Sequence, residues 1–157
     1  MLKFTYHTPS GDLHVVHAAP KEHIERVLGP LTDKEYKAHV LSKIPKDASG
    51  LLEITEADVP TDRTYRNAWT LNKKKIVHNM RKARDIHIEQ LRQRRAPKLA
   101  QLDIDWTRAF AKGDTKTAQV IEDKRQKLRD MPSLVREKVD ACNNIEALKL
   151  VDFDELA

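Results

Sequence analysis

Residues 97–132 read PKLAQLDIDWTRAFAKGDTKTAQVIEDKRQKLRDMP, and their spacing decides the fold of the C-terminal half. Leu99, Leu102, Trp106 and Ala109 with Phe110 recur at helical intervals, and after Gly113-Asp114 so do Ala118, Ile121 and Leu128. Gly113 suits the left-handed C′ position of one helix and Asp114 the N-cap of the next. The stretch therefore predicts an αα-hairpin over 97–131, with helices of about sixteen residues, ~24 Å long. Trp106 falls on the apolar stripe and reads as a core residue. Such a hairpin buries one stripe against its twin and the remainder against another part of the chain or another molecule.

Upstream, Asn79 suits an N-cap, and Met80 to Arg95 holds helix formers with a narrow apolar stripe of Met80, Ala83, Ile86, Ile88 and Leu91. Pro97 predicts a kink or break at Arg95-Ala96, because the residue before a proline resists the α region. Beyond Pro132, Ser133 caps a further expected helix through Ala141, and Ile145 to Leu150 forms a last turn before the acidic end 152–155.

The first 78 residues follow other rules. Leu2, Phe4 and Tyr6 alternate with Lys3, Thr5 and His7, turn residues follow at 8–12, and Leu13 to Ala18 is again β-rich, which predicts a β-hairpin. Pro20 opens a short helix ended by Gly29-Pro30. Thr32 and Glu35 form a capping box, with Leu31 and Tyr36 as its hydrophobic staple, for a helix that buries Tyr36, Val40 and Leu41. Leu51 to Thr55, Thr64 to Leu71 and Ile76-Val77 read as strands around a loop at 58–62. The expected class is α+β. A small N-terminal antiparallel sheet carries one or two helices over residues 1–78, and a helical region with the hairpin spans 79–157.

Composition narrows the function. In a chain of 157 residues, 34% charged and 5% aromatic residues permit only a thin aliphatic core. Cys142 is the single cysteine, which excludes an intrachain disulfide and a multi-cysteine zinc site. No apolar run approaches the ~20 residues of a membrane span, and the opening MLKFTYHTPSGD has neither the basic nor the apolar region of a signal peptide. The net charge of +5 is local: 73–98 holds ten cations against Asp85 and Glu89, or +8, which leaves −3 elsewhere.

That basic run could neutralise phosphates, but it lacks an RNP motif, a zinc finger or interleaved aromatics, so a solvated face or half of a protein interface is the simpler reading. His14 and His17 point to opposite faces of a strand, and His7, His23, His39, His78 and His87 stand alone as ordinary surface or edge residues. Asp103 and Asp105 do not share a helix face, while Asp85 and Glu89 sit among arginines as salt-bridge partners. GxSxG, P-loop, GxGxxG and HExxH motifs are absent. No catalytic residue, cofactor or metal is expected. The expected interface residues are Arg63, Tyr65, Arg66 and Trp69, with Arg84, Arg92, Arg94 and Arg95 on the basic helix. The first group is either a hot spot or a strand packing Tyr65 and Trp69 onto a helix.

Two segments carry a resemblance. Asp58-Val59-Pro60-Thr61-Asp62-Arg63-Thr64-Tyr65-Arg66-Asn67-Ala68-Trp69, followed by Met80-Arg81-Lys82-Ala83-Arg84-Asp85-Ile86-His87, resembles a family of small proteins encoded by tailed bacteriophages and prophages. The hairpin is similar to the phage tail assembly chaperone type of domain, through Asp105-Trp106-Thr107 and Arg125-Gln126-Lys127-Leu128-Arg129-Asp130-Met131-Pro132. The resemblance covers roughly 58–150, and residues 1–50 carry no motif. It implies a non-enzymatic protein of the virion tail or tail fibre, present in the host cytoplasm during assembly, with no cofactor. Other tail or tail-fibre proteins would be its partners, and a homo-oligomer is compatible. The alternatives are a transient tail assembly chaperone and a nucleic-acid-binding protein using the basic helix.

Overall fold

The computed structural model describes residues 2–153, so Asp154 and Glu155 of the acidic end lie outside the described residues. The chain forms two units, Met1–Asn79 and Met80–Ala157.

In the first unit, β1 (Lys3–His7) is the middle strand of an antiparallel sheet, with β2 (Leu13–His17) on one side and β3 (Ser49–Ile54) on the other. Strand alternation sends Phe4 and Val16 to one face. There they meet α1 (Lys21–Leu28) and α2 (Asp33–Leu41) through Ile24, Tyr36, Val40 and Leu41. The capping box of α2 forms as read: Thr32 Oγ1 accepts from the Glu35 amide, and Glu35 accepts from the Thr32 amide at 2.8 Å. Tyr36 donates its hydroxyl to the Ala19 carbonyl at 2.6 Å, which satisfies its buried polar end.

The opposite face is covered as well. β4 (Trp69–Asn72) and β5 (Lys75–His78) form a separate two-stranded hairpin rather than extending the sheet. Trp69 and Ile76 pack with Val59 against Leu13, Val15, Leu52 and Ile54. The strand expected over 64–71 starts only at Trp69, because a 3-10 turn occupies Arg66–Ala68. Burial on both faces explains why Lys3 and Thr5, on the polar side of the alternation, are 3% and 0% exposed. Lys3 pairs with Glu56. Among the described residues the Thr5 hydroxyl has no hydrogen-bond partner.

The second unit is a helical hairpin with longer arms than its prolines predict. α3 (Met80–Ala111) runs through Pro97, and α4 (Thr115–Ala141) runs through Pro132. Between them Gly113 takes φ +73°, and Asp114 caps α4 by accepting from the Thr117 amide at 3.0 Å. An interior proline removes one amide and costs about 3 kcal/mol, so each needs compensation. Gln93, whose carbonyl Pro97 leaves without its helical donor, is an exposed residue. At Pro132 the compensation is internal: the orphaned Leu128 carbonyl accepts from Arg95 Nη1 at 3.2 Å.

α5 (Ile145–Leu150), capped by Asn144, folds back so that Leu148, Val151 and Phe153 are buried. His87 is buried rather than on the surface, and its Nε2 lies 2.8 Å from the Val151 carbonyl, which makes Nε2 the donor. Arg84 donates twice to the Cys142 carbonyl at the end of α4, at 3.2 and 2.7 Å. Among the described residues nothing forms such a third layer at the turn end of the hairpin. Trp106 is therefore only half-buried, between the ring of Phe110 at 5.0 Å and the Arg125 guanidinium at 5.4 Å, and Phe110 is 64% exposed. The expectation of a core tryptophan is corrected: two helices alone cover only their facing stripes.

Two stability measurements follow. Arg95→Ala should lower the unfolding free energy in urea by about 1–3 kcal/mol, the cost of an unsatisfied carbonyl, and by clearly less in a Pro132→Ala background, where the helix donor returns. Additive effects would place the role of Arg95 elsewhere. Thr5→Val should raise the urea midpoint, with a gain of about 1 kcal/mol from removing an unpartnered buried hydroxyl.

Candidate functional site

The segment leading into β4 is held by its own short-range geometry. Asp62 Oδ1 accepts from the Thr64 amide at 2.9 Å, the Arg66 amide bonds the Arg63 carbonyl, and the Ala68 amide bonds the Tyr65 carbonyl. A three-residue period puts i and i+3 on one side. Tyr65 and Ala68 accordingly face inward, 1% and 0% exposed, and Arg63 and Arg66 face outward. Tyr65 is therefore a core residue and not a contact surface, a correction to its place among the interface residues. Trp69 is also buried, under the sheet rather than on a helix, and its Nε1–H donates to His78 Nε2 at 3.1 Å.

Arg63, Arg66, Asn67 and the edge of Trp69 form one wall of a cleft of about 670 Å³. β2 lines it too, through Leu13, His14, Val15 and His17, together with Asp12. Consecutive residues of a strand point to opposite faces, so a cleft reached by 12–15 runs along the strand's edge. Neither Arg63 nor Arg66 has an ion-pair partner among the described residues. Burial depresses the His17 pKa most, followed by the charges of Lys3 and Arg63.

The arginines of α3 have other duties. Arg84 and Arg95 donate to carbonyls of α4 as described. Arg94 pairs with Asp152 at 2.8 Å and lies over the Phe153 ring. Arg92 is exposed and reaches Glu89 at 3.4 Å. Of the eight residues expected at an interface, the structure brings Arg63, Arg66 and Trp69 together at the cleft and sets the α3 arginines in the other unit. Sequence reasoning missed His14, His17 and Asn67. The histidines were separated by strand alternation, and only at an edge can both faces serve one cleft. Among the described residues no three His, Cys, Asp or Glu side chains are placed to hold a metal ion, and no helix is long and apolar enough to cross a membrane.

The two long helices of the hairpin meet through charged and aromatic side chains. Arg125 Nε pairs with Asp103 at 2.7 Å, its guanidinium lies over Trp106, and Glu122 binds both Arg125 and Arg129. Comparison with family models, curated proteins and solved structures finds no match for this chain.

NMR titration of the histidines should place His17 below the ordinary midpoint near 6.5, and Arg63→Gln should move it upward. Unfolded His17 binds its proton more tightly than folded His17, so this group's contribution is complete above the ordinary midpoint and declines as the pH falls through it toward the folded value.

Proposed function

We propose that this chain is a non-enzymatic tail or tail-fibre protein of a tailed bacteriophage that works by binding other virion proteins. The resemblance of residues 58–150 supplies the setting. The observation that carries the protein-binding part is the cleft of the first unit, where two exposed arginines without ion-pair partners stand beside an open strand edge. The Arg125 guanidinium lying over Trp106 supports a scaffolding role for the hairpin, since these two motif residues interact with each other. Protein binding is favoured over nucleic acid because Arg84, Arg94 and Arg95 are engaged within the hairpin unit, which thins the cationic face that phosphates would need. Retention in the particle is preferred to a departing chaperone, since an α+β unit and a long arginine-rich helix precede the hairpin, unlike the chaperone-type pattern.

Mass spectrometry of purified particles, and of tail intermediates from the cells producing them, tests this reading. The chain is expected in both. Presence in intermediates alone would make it a transient chaperone, and absence from both would refute a tail role.

A further inference from the structure

β2 is an outer strand, and its hydrogen-bond parity can be read from the two ends of its hairpin. The Ala18 amide bonds the Leu2 carbonyl and the Thr8 amide bonds the Asp12 carbonyl, each at 3.0 Å. Directly opposed residues in an antiparallel pair alternate between bonded and non-bonded. The bonded pairs are thus Phe4 with Val16 and Tyr6 with His14, and the N–H and C=O groups of Leu13, Val15 and His17 turn away from β1. None of the three has a hydrogen bond to another described group. They present alternating donors and acceptors over about 14 Å of strand.

Edges of this kind are usually blunted by charge, proline or a bulge. β2 has none of these in Leu13-His14-Val15-Val16-His17, and its register against β1 is unbroken. The other edge, β3, is guarded: its register shifts between Thr5 and His7, Gly50 sits at φ +64°, and Glu53 is paired with Lys37.

We infer that the β2 edge is a strand-addition site for an extended acidic segment of another protein, its backbone pairing with Leu13, Val15 and His17 and its carboxylates meeting Arg63 and Arg66. The cleft beside the edge offers room for side chains of the added strand. Charge complementarity selects the occupant. Two-fold pairing of β2 with a second copy would bring two pairs of arginines toward one junction, whereas an acidic strand neutralises them. A phosphate chain would use the donors and leave the outward carbonyls unpaired, while a peptide backbone matches both. The inference rests on the reading of the chain as a protein-binding module and is independent of its place in a phage tail.

The test uses the full chain, labelled with nitrogen-15, and an acetylated octapeptide of alternating valine and glutamate. The amides of Leu13, Val15 and His17 are expected to shift and to exchange with deuterium at least tenfold more slowly, with those of His14 and Val16 little changed. Arg63→Glu with Arg66→Glu should weaken binding at least tenfold, and the valine–lysine octapeptide should not bind. Val15→Pro removes an outward amide that takes no part in the β1 ladder, so it should abolish binding while keeping the hairpin. If that variant does not fold, the same octapeptide N-methylated at alternate residues makes the test from the ligand side and should not bind.

Unchanged amides, equal binding of the lysine peptide, or the same shifts with inorganic phosphate alone would overturn the inference. So would protection of these amides in a dimer of the chain without peptide. A chain present in virions but indifferent to the acidic peptide would lose this inference and keep the tail role; the reverse result would do the opposite.

Discussion

Pro132 deletes an amide from the middle of α4, and the Arg95 guanidinium gives the Leu128 carbonyl the donor that the helix cannot. The long hairpin depends on that exchange. A helix broken at Pro132 would carry Val135 and Val139 away from the axis on which Leu128 and Met131 lie, and these residues form one buried stripe. Met131 and Val135 share a small cleft with Phe153, α5 packs against α3, and the carbonyls of Val151 and Cys142 accept from His87 and Arg84 of α3. Arginine suits the position because its forked, permanently charged head can reach a backbone carbonyl from a neighbouring helix while its stem covers apolar surface.

The same principle governs the sheet. Covering β1 on both faces buries its polar alternation, and the cost is offset at Lys3 by Glu56 and left standing at Thr5. Polar residues on a central strand are thus the trace of a second covering layer. That layer, the β4–β5 hairpin, also brings the 63–69 segment to the open side of β2, so the cleft is a by-product of how the lower face is closed.

Much of the fold was legible because it is local. The Thr32 and Glu35 capping box, the turn at 8–12, and the Gly113-Asp114 junction are each set by a few adjacent residues, and each forms as read. What was illegible is what depends on distant partners. Pro132 reads as a stop because the donor for Leu128 lies 33 residues away on another helix. Tyr65 read as a contact beside arginines because a 3-10 turn, unlike the expected strand, turns it inward while Arg63 and Arg66 stay out. The arginine-rich helix read as a surface because sequence alone does not show which carbonyls lack donors. His17 was passed over since an edge is a property of strand order.

Cys142 gives the molecule an internal clock. It is the single thiol of the chain, it is buried, its Sγ lies 3.3 Å from the Lys138 carbonyl, and its own carbonyl is held by Arg84. A thiol reagent reaches a buried thiol faster when the structure around it opens. The labelling rate of Cys142 therefore reports opening around the end of α4, which places the Arg84 contact on a time axis.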